Sequence, residues 1–247
     1  MKLNKEVKWL LEEKYGGKPD KGFLKDVQRL NKGEPLDYVI GFTEFGGAKI
    51  DLSKKPLIPR QETEFWVGEE IKKITGKNLR ILDVFSGSGC IGIAVLKNVK
   101  SSKVFFADKS LDSVKQIKIN LKINKIKGRV VVRQSDIFSN VKGKFDYIFA
   151  NPPYVAEKKR NKVQKSALKF EPEMALFGGQ DGLFYIKKFL RDALRFLRPG
   201  GKIFLEFSPE QKKEIEKIFK KFGYRNWEFK KDQFNRYRWV KIFAMIK

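Results

Sequence analysis

From residue 80 onward, short apolar runs alternate with amphipathic stretches of helical length, and this alternation constrains the fold more than any other feature. Arg80 to Val84, Lys103 to Asp108, Val130 to Val132, Tyr147 to Ala150 and Lys202 to Phe207 have the length and composition of strands. Helical periodicity covers 91–98, 111–124, 183–196 and 210–222, and Trp227 to Phe229 with Arg238 to Met245 make a final strand pair. Strands separated by helical crossovers predict an α/β fold with a doubly wound, mostly parallel sheet. Seven strands are expected, with an antiparallel strand at the C-terminal end.

Before this region the pattern differs. Leu3, Val7, Leu10 and Leu11 share one helical face, and Gly16-Gly17 ends the run. A second helix follows Asp20, an expected N-cap, with Phe23, Val27 and Leu30 on one side. Two such helices cannot bury both apolar faces alone and must pack on something else. Tyr38-Val39-Ile40, Phe42 and Lys49-Ile50-Asp51-Leu52 read as strands around a turn at Phe45-Gly46-Gly47-Ala48. A helix over 61–74 then opens the main unit. The expected division is a helical segment over 1–34, a β-hairpin linker over 35–60 and a catalytic domain over 61–247.

Composition removes whole classes of chemistry. The 247 residues contain no histidine and one cysteine, Cys90. Ser-His-Asp triads, histidine general bases, Cys/His zinc sites and internal disulfides are therefore excluded. No apolar run reaches bilayer length, and the first residues lack the apolar segment of a signal peptide. A cytoplasmic monomer with no membrane contact is the expectation. The net charge of +25 suits contact with RNA or a ribosome, and equally suits lysines scattered over solvated helix faces.

Three features fall at successive strand ends, where open α/β sheets bind ligands. After the first strand comes Asp83-Val84-Phe85-Ser86-Gly87-Ser88-Gly89, whose glycines let backbone approach a ligand closely. The spacing differs from a dinucleotide phosphate cradle. It is similar to the Asp-x-x-x-Gly-x-Gly loop of Rossmann-like methyltransferases, which implies that Phe85, Ser86, Gly87, Ser88 and Gly89 hold the methionine part of S-adenosylmethionine. Phe85 stands where many of those enzymes have glycine. Asp108 closes the second strand and can accept hydrogen bonds from both ribose hydroxyls. After the third strand, Asp136 is placed to bind the adenine amino group and Ile137 to cover its face.

Asn151-Pro152-Pro153-Tyr154 follows the fourth strand directly, and the prolines end it. The Asn151 side-chain carbonyl and the Pro152 backbone carbonyl can accept both hydrogens of a planar NH2 group. Tyr154 offers a flat face for stacking. Such a site methylates a nitrogen by positioning, without a metal or a histidine.

The clamp alone is shared by adenine-N6 and glutamine methyltransferases. The flanks Glu34 to Gly41, Phe45-Gly46-Gly47, Leu57 to Glu64, Phe170-Glu171-Pro172, Ala175-Leu176 and Gly178 to Leu183 resemble the HemK/PrmC family of peptide chain release factor glutamine methyltransferases. The resemblance runs from about residue 34 to the end. It implies a release factor as protein substrate, methylated on the glutamine of its Gly-Gly-Gln motif, and S-adenosylhomocysteine as product. It also implies that Asn151 touches the cofactor as well as the glutamine, and that Pro59-Arg60 and Glu171-Pro172 line the mouth. Family members carry a longer N-terminal helical bundle, so a ribosomal-protein glutamine or an adenine of RNA or DNA stands as the alternative acceptor. A non-catalytic relic would have lost the loop or Asn151, and both are present.

Overall fold

A computed structural model describes residues 2–244, with side chains from residue 5 onward. The expectations for the Leu3 side chain and for Met245 fall outside that range. Helices α1 (Lys2–Tyr15), α2 (Phe23–Asn31) and α3 (Leu36–Ile40) precede a hairpin of β1 (Phe42–Phe45) and β2 (Ala48–Asp51). Then follow α4 (Gln61–Ile71), β3 (Leu79–Val84), α5 (Cys90–Asn98), β4 (Ser102–Asp108), α6 (Leu111–Ile123), β5 (Val130–Gln134) and β6 (Phe145–Ala150). Short helices α7 (Lys165–Phe170) and α8 (Glu173–Leu176) lead to α9 (Phe184–Asp192), β7 (Leu197–Glu206), α10 (Lys212–Lys221), β8 (Trp227–Lys231) and β9 (Tyr237–Phe243).

The main sheet has the order β5-β4-β3-β6-β7-β9-β8. The first five strands in that row are parallel, and β9 runs antiparallel to both its neighbours. The seven-stranded, doubly wound expectation holds. Side chains alternate between the faces as a pleated strand requires. Ile81, Phe106, Phe149 and Phe204 enter one apolar layer with α4 and α5. Leu82, Ile148, Ile203 and Leu205 enter the other with α9 and α10. Chain order reverses between β4 and β6 on either side of β3, which opens a crevice at the C-terminal ends of these strands.

Several boundaries differ from expectation. Tyr38-Val39-Ile40 is helical, not extended. Pro35 precedes the turn, and left-handed Gly41 (φ 97°) closes it by donating its N–H to the Asp37 carbonyl at 2.8 Å. These local stops override the strand preference of the β-branched residues. The helix supplies the partner that α1 and α2 need: Val39 joins Leu10 and Leu30 in a small core of their own. Asp20 does not cap α2. It closes the preceding turn by accepting from the Gly22 N–H at 2.7 Å. Helix α4 ends at Ile71 instead of 74, residues 193–196 tighten to a 3-10 turn, and β7 starts at Leu197, ahead of the expected Pro199-Gly200-Gly201 turn.

The hairpin is not a free linker. Phe45, Ala48 and Ile50 belong to the same apolar layer as the sheet. Its outer edge is closed by three amides spaced four residues apart, Gln116 and Asn120 on α6 and Asn124 at its C-cap. Asn124 pairs with both backbone groups of Lys49 (3.2 and 2.7 Å), and Asn120 with both of Asp51 (2.7 and 3.2 Å). Gln116 accepts from the Lys54 N–H at 2.8 Å. Four helical residues rise about 6 Å and two strand residues about 6.8 Å, so the two repeats stay in step over this short distance. Unpaired strand groups that would otherwise invite association are thereby satisfied.

Candidate active site

The crevice above β3, β4 and β6 holds a cavity of about 270 Å³. Phe85, Ser86, Gly87 and Ser88 form one wall, and Asp108, Asp136, Ile137, Asn151 and Pro153 complete it with Pro59, Arg60 and Pro172 at its rim. Nine of the residues singled out in the sequence thus meet in one place. Gly89, Pro152 and Tyr154 do not line it.

The glycine loop is a left-handed turn. Phe85, Gly87 and Gly89 have φ of 60°, 54° and 80°. A glycine at the first position would adopt this at no steric cost, so Phe85 holds a strained conformation. Its ring compensates by packing against Tyr185 and Phe189, with centroids 6.2 Å away in each case. Gly89 begins α5, and a Cβ there would press on Ile117. A Cβ on Gly87 would meet nothing, because that residue faces open space.

Asp108 holds this loop: its Oδ2 accepts from the Gly87 N–H and its Oδ1 from the Ser110 N–H, both at 2.8 Å. Burial raises the Asp108 pKa, and the two N–H donors oppose that rise. Under the loop lies Asp83, 1 % exposed. Its Oδ2 accepts from the Gly92 N–H at 3.0 Å, while Oδ1 has no partner among the described residues. Burial, with the charge of Asp108 added, pushes this carboxyl up to about 8. Asp136 is more open, with Lys109 and Lys188 at 3.6 and 3.7 Å. Ile137 is buried in a left-handed conformation (φ 56°). Together these groups offer a backbone cradle open at Gly87, a carboxylate with lone pairs to spare and an apolar wall. That donor set fits an adenine nucleoside with an amino-acid tail.

At the other end of the cavity, Asn151 leaves β6. Its Nδ2 donates to Thr63 Oγ1 at 3.4 Å. No described residue donates to Asn151 Oδ1 or to the Pro152 carbonyl, and of these two residues Asn151 lines the cavity. Tyr154 departs from expectation. It is half-buried and gives its hydroxyl to Glu206 Oε1 at 3.0 Å, which makes it a brace and not a face of the cavity wall.

Glu206 is the residue that sequence reading missed. It ends β7 at 1 % exposure, and its Oε2 accepts from both Thr63 Oγ1 and Trp66 Nε1 at 2.7 Å. Burial raises its pKa against the pull of these donors and of Arg238. The one available signal was an acidic residue closing the apolar run Ile203-Phe204-Leu205-Glu206-Phe207.

A second layer holds the clamp's backbone. Gln211 Nε2 donates to the Tyr154 carbonyl at 3.0 Å, and Val155 pairs with the 176–178 segment. Gly182 has φ 74°, and a Cβ there would collide with the Tyr154 carbonyl. Glu171 sits behind the rim, where it accepts from the Ile58 N–H (3.0 Å) and Arg60 Nη2 (2.6 Å). Of the expected mouth residues, Pro59, Arg60 and Pro172 line the cavity and Glu171 ties them together.

Comparisons agree with this architecture. The family model described as Methyltransferase small domain matches residues 62–174. The structure of a methyltransferase from Pyrococcus furiosus superposes with a TM-score of 0.60 at 22 % identity, covering 81 % of this chain and 90 % of that one, a likeness of fold. Release factor glutamine methyltransferase of Streptococcus pneumoniae is 32 % identical over 94 % of this chain and 83 % of its own length. That of Thermodesulfovibrio yellowstonii is 39 % identical, over 83 % of this chain and 75 % of its own. By this similarity the chain belongs to the release factor glutamine methyltransferase family.

Proposed function

We propose that this protein methylates the side-chain amide nitrogen of a glutamine, the Gly-Gly-Gln glutamine of a peptide chain release factor, using S-adenosylmethionine. The observation that supports this reading is Asn151, whose Oδ1 accepts from no described residue and which lines the same cavity as the Phe85–Ser88 wall and Asp108. A planar NH2 group needs two acceptors and an unobstructed third direction, and in this reading Asn151 Oδ1 and the Pro152 carbonyl are the two acceptors. The names of the similar proteins support the choice of glutamine.

In this reading the Phe85-to-Gly89 loop carries the methionine part, Asp108 the ribose hydroxyls, and Asp136 and Ile137 the adenine. The bound cofactor supplies an electrophilic methyl group on a positive sulfonium. Asn151 and Pro152 hold the two amide hydrogens and thereby favour pyramidal geometry at a nitrogen whose lone pair is otherwise delocalised. Asn151 and Pro152 would aim that lone pair at the methyl group that the cofactor supplies. One amide proton then leaves to solvent. Positioning of the acceptor is the main contribution of the chain. We take the N-terminal helices and the hairpin that follows them to present the partner to the catalytic domain over 61–247. We take the enzyme to act as a cytoplasmic monomer without a metal.

The test offers purified release factor, ribosomal proteins and RNA in parallel to the enzyme with methyl-labelled cofactor. Label is expected in the release factor glutamine, and label confined to RNA would favour an adenine acceptor instead. Asn151→Ala is expected to lower turnover on the order of a hundredfold while cofactor affinity changes little. Equal losses in both would assign Asn151 chiefly to the cofactor.

A further inference from the structure

Resting on the clamp proposed above, we infer that Glu206 and Thr63 form a positioning relay that fixes which end of the Asn151 amide faces the acceptor nitrogen. An asparagine side chain is nearly symmetric in shape and opposite in polarity at its two ends. Turned over, it would present an NH2 group to another NH2 group, and the clamp would repel its guest. Something must select the orientation.

The selection starts at a group that can only donate. Trp66 Nε1–H has no lone pair to offer, and it points to Glu206 Oε2 at 2.7 Å. That oxygen is therefore an acceptor, and Thr63, also at 2.7 Å from it, must give it its hydroxyl proton. A hydroxyl has one proton. What remains toward Asn151 is a lone pair, which only the Nδ2 end can satisfy, as observed at 3.4 Å. Oδ1 is left for the substrate. Tyr154 occupies the second carboxylate oxygen, and Arg238 lies near enough to favour the charged form. Trp66 itself cannot swing away. It is fully buried and stacks between Phe149 and Trp239, at centroid distances of 6.0 and 6.2 Å. The orientation of the clamp is thus dictated from α4 and β7, neither of which needs to touch the acceptor.

A structural glutamate filling a polar gap would make the same bonds but would not act through Asn151. The experiment compares Thr63→Val, which keeps the shape and removes the hydroxyl, with Thr63→Ser, Glu206→Gln, Asn151→Ala and the Thr63→Val/Asn151→Ala pair. Turnover on release factor, cofactor affinity and thermal midpoint are measured for each. Thr63→Val is expected to lower kcat about ten- to a hundredfold with cofactor affinity within about twofold. Thr63→Ser restores it. Glu206→Gln lowers kcat less than Thr63→Val, because the amide oxygen that Trp66 holds on the Thr63 side still accepts the hydroxyl proton. In the Asn151→Ala background, Thr63→Val adds nothing further.

Full turnover in Thr63→Val, or losses that multiply in the pair, would overturn the relay while leaving the clamp intact. A loss in Glu206→Gln as large as in Thr63→Val would overturn the part assigned to Glu206. Full turnover in Asn151→Ala would overturn the clamp itself, and the relay with it.

Discussion

The two ends of the cavity are built in different ways. The cofactor end is local: Phe85, Gly87 and Gly89 belong to one turn, and Asp108 ends the adjacent strand and holds that turn. The acceptor end is assembled from afar. Asn151 depends on Thr63, 88 positions earlier, and Tyr154 on Glu206 and Gln211, more than 50 positions later. A site made of strand-end turns keeps its shape as long as the sheet does. A clamp made of distant side chains can be lost one contact at a time, with the rest of the fold undisturbed.

Three changes separate the two ends further. Gly182→Ala should have the largest effect, because its Cβ would collide with the Tyr154 carbonyl and lie 2.6 Å from Gln211 Nε2 in a left-handed backbone. A loss of about 2–4 kcal/mol in unfolding free energy is expected, with turnover falling more than cofactor affinity. Chemical denaturation and cofactor titration check the two parts. Comparable damage to cofactor binding would show the two ends to be one unit.

Asp108→Asn acts at the other end. If Asp108 holds the ribose as proposed, the change should weaken cofactor binding about 10- to 100-fold by calorimetry, and because one of its two backbone N–H donors would then face an amide NH2 it should also cost about 1–3 kcal/mol of stability. In the parent, burial raises the Asp108 pKa, while ribose hydroxyls bound as proposed would favour its ionised form. Affinity is therefore full above that raised pKa and weakens as pH falls through it. Asp108→Asn should flatten the acid limb, and with no histidine in the chain an imidazole cannot produce it. Turnover and cofactor affinity should shift least in Asn120→Ala, although it removes bonds to the hairpin and to the glycine loop at once. It should cost about 1–3 kcal/mol of stability and shift both ends slightly, as read by hydrogen exchange at β2 and the loop.

The same contrast explains what was legible in the sequence. The strand–helix alternation reports burial on both faces of a parallel sheet, so the fold could be read from period and length alone. The glycine loop and Asp108 were legible because a strand-end turn leaves a signature within a few residues. Glu206, Thr63 and Gln211 carry no such local mark, since their meaning lies in partners brought near only by folding. Tyr154 was misjudged for the same reason: its ring suggested stacking, but Glu206, unseen in the sequence, claims its hydroxyl. At Leu36–Ile40 local stops at Pro35 and Gly41 outweighed the β-branched pattern, and a linker strand became the helix that completes the N-terminal core.

Asn120 sends one amide proton to the Ser88 carbonyl at 2.9 Å and the other to Asp51 at 3.2 Å. The floor of the glycine loop and the inner strand of the hairpin therefore hang on the two hydrogens of one nitrogen. Rotating the hairpin against the sheet must stretch one of these bonds. Asn120 thereby gears the hairpin to a wall of the cavity, so the pose of one and the shape of the other change together.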